Sequence, residues 1–228
     1  MNLSLLKKGF YTATLALTAT TTYFAFAQAS SANVVAGRDY TVLNQPQTPN
    51  PTVSMAMSFA CSHCADFTRV YKVPEKIEQM LKATYPGTGE YLEWHIVFND
   101  IQMYRDFARL RSVLYVTKND KLLPAAFELP YQYRNDPQPL KNWLATNLNI
   151  DADAVNKLWN SPSVNVFYNK QEELTKQYDI RQTPTFIING RYELNLASIS
   201  IPVANPTPDQ IGDAVTAKIK EILEATTK

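Results

Sequence analysis

Cysteine and histidine are scarce in this chain of 228 residues, which contains two of each. A closed zinc site needs about four nitrogen or sulfur ligands, and the whole supply is Cys61, His63, Cys64 and His95. Because His63 lies between the two cysteines, these side chains are poorly placed to bind one ion together. We therefore expect no metal site. We expect His95, on a predicted strand, to be a core or surface residue.

Charge is absent from a long stretch near the start of the chain, residues 9–37. Two lysines and no acid precede this stretch, and small residues within it fit an A-x-A cleavage rule. Residues 1–27 are therefore predicted to be a secretory signal peptide, cleaved after Ala27 or Ala29. An uncleaved membrane anchor is the alternative, but six threonines before Ala27 weaken a span that needs ~20 mostly apolar residues.

Neither sign of charge is in excess. The formal net charge is +1, and removal of residues 1–27 would take away two lysines and no acid, which leaves −1. A chain this close to neutral has no electrostatic reason to bind nucleic acid or anionic lipid. We expect neither as a partner.

Five segments are predicted to be strands from their alternation or their aromatic and β-branched residues. They are residues 40–43, 53–59, 90–98, 185–188 and 191–194. An Asn-Gly pair between the last two predicts a hairpin turn. Helical spacing begins near Ala65, and we expect Pro74 to kink or break that helix.

A helical block is predicted from about residue 103 to residue 178, and a final amphipathic helix from 208 to 225. The order of elements predicts an α/β fold, in which helices flank a mixed sheet and a helical subdomain interrupts it. We assign residues 33–100 and 179–228 to the sheet domain and residues 101–178 to the inserted helical subdomain.

The cysteines form a C-x-x-C pair at the point where a strand gives way to a helix. A disulfide between residues three apart closes a very short loop and restrains the unfolded chain little. Stabilisation of the fold is therefore a weak explanation for the cysteine pair. The first turn of a helix carries unpaired N–H groups and a positive dipole end, which favour a thiolate. We expect Cys61 to be exposed and nucleophilic, Cys64 to be buried and resolving, and His63 to stabilise the Cys61 sulfur.

A Thr183-Pro184 pair opens the later strand at residues 185–188. On its own this pair predicts an ordinary trans proline, because only ~5–6% of X-Pro bonds in folded proteins are cis. Together with the C-x-x-C pair and the long helical block between them, however, it resembles the thioredoxin fold. The chain is most similar in pattern to the DsbA family of thiol:disulfide oxidoreductases, over essentially all of the chain after the signal peptide.

The resemblance implies a role for each site residue. The Cys61 sulfur is the one that substrate thiols attack in the disulfide form, and it is the attacking sulfur in the dithiol form. Cys64 is its disulfide partner, and His63 stabilises the Cys61 thiolate. Pro184 is cis and faces the disulfide, while Thr183 offers its backbone to an extended substrate. The redox-active disulfide takes the place of a cofactor.

The resemblance also implies partners and a compartment. The protein is expected to be a periplasmic monomer that oxidises unfolded or folding exported proteins with cysteines. A DsbB-like, quinone-linked membrane protein would reoxidise it.

Two residues depart from the family pattern. Ser62 stands where the best-known members have proline, and we expect it to tune the reduction potential. Met55 stands where typical members place a buried acid. Glu93 on the neighbouring strand could replace that acid, but we expect Glu93 to be a solvated residue on the strand face.

Two other functions stay open from the sequence. One is a disulfide reductase or isomerase that is kept reduced in the cell. The other is a holdase-like binding module in which the redox pair is incidental.

Overall fold

The structure is a computed structural model that describes residues 34–227. The predicted signal peptide therefore lies outside the described residues and stays a prediction. Five strands form one sheet in the order β1-β5-β4-β2-β3. The strands are β1 (Tyr40–Val42), β2 (Thr52–Met57), β3 (Glu90–His95), β4 (Thr185–Ile188) and β5 (Tyr192–Leu194).

The sheet is mixed because β2 pairs in parallel with β3 and antiparallel with β4. β5 pairs antiparallel with both β4 and β1. The hairpin between β4 and β5 turns at Asn189 and Gly190, whose φ angles of 49° and 65° are both positive. This is the conformation for which an Asn-Gly pair is favoured, so the predicted hairpin is confirmed.

Eight α-helices surround the sheet in the described part of the chain. They are α1 (Ser62–Arg69), α2 (Val73–Thr84), α3 (Gln102–Val116), α4 (Leu123–Ala126), α5 (Gln138–Leu148), α6 (Ala152–Trp159), α7 (Pro162–Gln177) and α8 (Pro208–Thr226). The predicted α/β fold with a mixed sheet flanked by helices is confirmed. No helix between residues 34 and 227 combines the length and apolar character that a membrane crossing requires.

The main core lies against one face of the sheet. That face presents Val53, Met55 and Met57 from β2, all fully buried, and α1, α2 and α8 contribute apolar side chains to the same cluster. A second cluster on the opposite face contains Ala56 and Trp94, with residues from the end of α7 packed against it. β2 is therefore covered on both faces, which explains its mostly apolar sequence.

The first predicted helix is divided into α1 and α2, as the proline suggested, but the break precedes Pro74. Lys72 adopts a left-handed conformation with φ of 55°, and Pro74 lies in the first turn of α2. A proline in the first turn costs no intrahelical hydrogen bond, so Pro74 starts the second helix. α3 to α7 lie between β3 and β4 along the chain, and the division into two domains at residues 101 and 178 stays a prediction.

Candidate active site

The first cysteine is the N-cap of α1. Cys61 has an extended backbone, with φ of −93° and ψ of 115°, and its sulfur accepts a hydrogen bond from the Cys64 N–H at 3.2 Å. Serine, threonine and aspartate oxygens usually fill this role. A sulfur in the same place lies at the positive end of the helix, where a negative charge is stabilised.

The two thiols have opposite environments. Cys61 is half-buried and Cys64 is buried, and both are free. A hydrogen bond with the Cys64 side chain is the largest of the effects that lower the pKa of Cys61 to about 5, against the opposing effect of burial. Burial raises the pKa of Cys64 far above its ordinary range, and the neighbouring Cys61 adds to this rise.

The predicted proline segment lies beside the cysteines. The Thr183–Pro184 peptide bond is cis, and the Cys61 thiol donates a hydrogen bond to the Thr183 carbonyl oxygen at 3.3 Å. β4 follows this segment and pairs with β2, which leads into Cys61, so the sheet brings together two parts of the chain that lie far apart in sequence. The Thr183 side chain also lowers the pKa of Cys61.

Ser62 and His63, between the cysteines, are both exposed on α1. The contribution of position 63 comes from its backbone, because a hydrogen bond from the His63 N–H to the sulfur lowers the pKa of Cys61. His63 also lines a neighbouring groove. The predicted stabilisation of the thiolate by the His63 side chain stays a prediction.

This groove, which we call the proline groove, has a volume of about 490 Å³. It runs from α1 past the cis-proline segment to β5 and the residues that follow it. Its lining is Thr41, His63, Phe67, Gln182, Thr183, Pro184, Thr185, Glu193, Leu194, Asn195, Leu196 and Ala197.

Sequence reasoning missed a buried polar row on β3. Glu93 is only 4% exposed and His95 only 1%, so the expectation that Glu93 is solvated was wrong. One oxygen of the Glu93 carboxylate has no hydrogen-bond partner among the described residues. Burial raises the pKa of Glu93 to about 7, opposed by the charge of Arg111, and burial lowers the pKa of His95 to about 3.

The position of Glu93 explains its burial. It lies directly across the parallel β2–β3 pair from Met55, and Arg111 of α3 donates a hydrogen bond to its backbone carbonyl. The Glu93 side chain lines one pocket with Thr68 of α1, Pro74 of α2 and Leu123 of α4, so helices cover the strand face that the sequence suggested was open to solvent. The clue in the sequence was the run of apolar residues around Glu93, since a strand buried on both faces has few polar positions. His95 is a core residue, as one of the two expectations had it.

No group of three or more histidine, cysteine, aspartate or glutamate side chains between residues 34 and 227 is arranged to hold a metal ion. The site itself offers two unequal thiols next to a peptide-sized groove.

Comparison with known proteins gives one family. A family model described as "DSBA-like thioredoxin domain" matches residues 45–214. The chain is 24% identical over 189 residues to the thiol:disulfide interchange protein DsbA of Dickeya dadantii, covering 82% of this chain and 89% of that protein. It is 26% identical over 170 residues to the DsbA of Escherichia coli K12, covering 73% and 79%.

A solved structure has the same fold. The Proteus mirabilis DsbA (C30S), in complex with a non-covalently bound peptide PWATCDS, superposes with a TM-score of 0.71 at 22% identity. The match covers 85% of this chain and all of that one.

Proposed function

The chain belongs to the DSBA-like thioredoxin domain family of thiol:disulfide oxidoreductases, and on this premise we propose that it is an oxidant of cysteine pairs in exported proteins. The observation that carries the proposal is the contrast between the two thiols. The pKa of Cys61 is lowered to about 5, while that of Cys64 is raised. A stabilised thiolate favours the dithiol form and makes the disulfide a stronger oxidant.

The reaction begins with the disulfide form. A substrate thiolate attacks the Cys61 sulfur, a substrate–Cys61 bond forms, and the Cys61–Cys64 bond breaks. Cys64 leaves with the electron pair and takes a proton, which its raised pKa favours. Attack at Cys61 rather than Cys64 is expected because Cys61 is the more accessible sulfur.

The second step releases the product. Another substrate thiolate attacks the substrate sulfur of the mixed disulfide, and Cys61 leaves as a thiolate. A thiol of low pKa is a fast leaving group, so the lowered pKa of Cys61 speeds this step. The substrate has lost two electrons and gained a disulfide, and the protein holds both electrons as its dithiol.

Substrates are held in the proline groove. Thr183 keeps its carbonyl close to the Cys61 sulfur, where an extended chain can pair with backbone groups, so that binding depends little on sequence. The Proteus mirabilis relative binds a peptide that contains one cysteine. This supports the same class of substrate here, namely unfolded or folding chains with cysteines.

We place the protein in the periplasm as a monomer, with a DsbB-like, quinone-linked membrane protein as the acceptor of its electrons. The predicted signal peptide and the family support this placement. A recycling partner is required by the electron balance, because each turnover leaves the protein reduced.

The test uses the mature chain in its disulfide form and a peptide with two cysteines. The wild-type protein should oxidise the peptide in a burst of one equivalent, measured by alkylation and mass spectrometry. Cys61→Ser should be inactive because it removes the attacked sulfur, while Cys64→Ser, first loaded as a mixed disulfide at Cys61, should release it only to a second thiol. An active Cys61→Ser protein would overturn the proposal.

A further inference from the structure

Among the residues that the structure describes, a single carboxylate, that of Glu193, lines the proline groove. Glu193 is the middle residue of β5 and is half-buried. Its register partners are Thr41 on β1 and Ile187 on β4, neither of which carries charge. The strand pairing thus fixes an acid on the wall of the proline groove.

The backbone of Glu193 pairs within the sheet, but its carboxylate has no hydrogen-bond or ion-pair partner among residues 34–227. Arg191, the cation two residues before it, is exposed and forms no ion pair with it within the described chain. The described part of the groove lining contains no lysine or arginine, and His63 is the one other titratable side chain in it. Burial raises the pKa of Glu193, with no nearby charge among the causes. The part of the proline groove that the structure describes therefore holds a carboxylate without a neighbouring lysine or arginine.

We propose that Glu193 selects substrates with a lysine or arginine close to the reactive cysteine. This inference rests on the proposed oxidase function and names the substrates that the same groove prefers. A peptide that follows the groove supplies the missing cation, because a half-buried carboxylate is less screened by water than an exposed one. Glu193 is a specificity residue and touches no reacting atom.

The register indicates where that cation lies on the peptide. Glu193 lies across from Ile187, two residues beyond Thr185, and strands rise about 3.4 Å per residue, so it is about 7 Å further along the sheet. An extended peptide that follows the groove from Cys61 passes Thr183 before it reaches Glu193, so the cation is expected within about four residues of the peptide cysteine.

The experiment compares peptides that differ in one residue. Each has one central cysteine and either lysine or glutamate, moved from four residues before the cysteine to four after it. The wild-type disulfide protein should react about three- to fivefold faster with the lysine peptide at one or two positions, the size expected for one partly exposed ion pair. Glu193→Gln should abolish this ratio, and Glu193→Lys should reverse it.

The matched control is Glu90→Gln, which removes the same charge from an exposed strand position on the opposite edge of the sheet. It should keep the wild-type ratio. Equal rates for lysine and glutamate peptides at every position, or a ratio that survives in Glu193→Gln, would overturn the inference.

A binding measurement separates this inference from the oxidase function. Peptides with serine in place of the cysteine are titrated into the same proteins and followed by NMR shifts. If the wild-type protein oxidises neither peptide, the proposed oxidase function fails, yet tighter binding of the lysine peptide that is lost in Glu193→Gln still supports the inference. Equal binding of both serine peptides would overturn it.

Discussion

Cys61 and Glu93 are two acids that the fold shields from water with opposite results. The pKa of Cys61 is lowered to about 5, and that of Glu93 is raised to about 7. Burial acts in the same direction on both, because it disfavours the charged form. The difference is the supply of hydrogen-bond donors.

Cys61 lies at the start of a helix, where backbone N–H groups have no partner within the helix. The N–H groups of Cys64 and His63 and the Cys64 thiol all turn toward its sulfur. Glu93 lies on the edge strand β3, no backbone hydrogen bond is among the causes that act on its pKa, and one of its carboxylate oxygens has no partner among the described residues. In this protein the pKa of the shielded sulfur falls because it has several hydrogen-bond donors, and that of the buried carboxylate rises because it has few.

Removing the charge at Glu93 is expected to have the largest effect, and this effect is on the free energy of unfolding. Glu93→Gln should raise the free energy of unfolding by about 2–3 kcal/mol at pH 8, because a carboxyl with a raised pKa in the folded state is costly to ionise. The stability that depends on Glu93 should be fully present below about pH 4.5 and be lost as the pH rises through 7, so the difference between the two proteins should appear over this range. Urea denaturation across this range measures both.

Glu90→Gln is the control for this experiment, since it makes the same change at the exposed end of the same strand. Its stability should stay within ~0.5 kcal/mol of wild type at each pH. A Glu93→Gln variant whose stability parallels wild type from pH 4 to pH 8 would show that Glu93 is not held neutral by burial.

Removing the Cys64 thiol tests whether hydrogen-bond donors account for the lowered pKa of Cys61. Cys64→Ala deletes the largest of the effects that lower the pKa of Cys61, so that pKa should rise by at least ~1 unit, while the backbone N–H groups keep it below the ordinary value. Thiolate absorbance at 240 nm against pH measures the change. An unchanged midpoint near pH 5 would assign the whole effect to the helix start.

The smallest effect is expected at Ser62, the first residue of α1. Proline suits this position because its N–H is not needed in a helix, and the extended backbone of Cys61 is what a residue before proline requires. Ser62→Pro should therefore raise stability by about 0.4–1 kcal/mol. Thermal melts of the disulfide form measure this, and a lower melting temperature would contradict the account.

The local part of the site was predictable from sequence and the long-range part was not. The positions of Cys61 and Cys64 follow from a C-x-x-C pair at a helix start, which depends on neighbouring residues. The cis bond at Pro184 came only from family resemblance, since base rates favour trans. The burial of Glu93 depends on α1, α2 and α4, which face its side chain from other parts of the chain, and the apolar residues around it in the strand are only an indirect clue.

The third predicted strand was too long for a similar reason. The sequence favoured residues 90–98, but β3 ends at His95, because its parallel partner β2 ends at Met57. An edge strand such as β3 can extend only as far as the strand it pairs with. The end of β2 is in turn fixed by the point at which α1 begins.

The reduction potential of the Cys61–Cys64 pair tests the central claim most directly. The mature protein is equilibrated in glutathione buffers and the thiols are counted by alkylation and mass spectrometry. Because each ~1.4 kcal/mol of thiolate stabilisation corresponds to ~30 mV, the lowered pKa of Cys61 predicts a value well above that of glutathione. Thioredoxin has a potential of about −270 mV. A value close to this would contradict the proposed oxidase function and favour a reductase or isomerase.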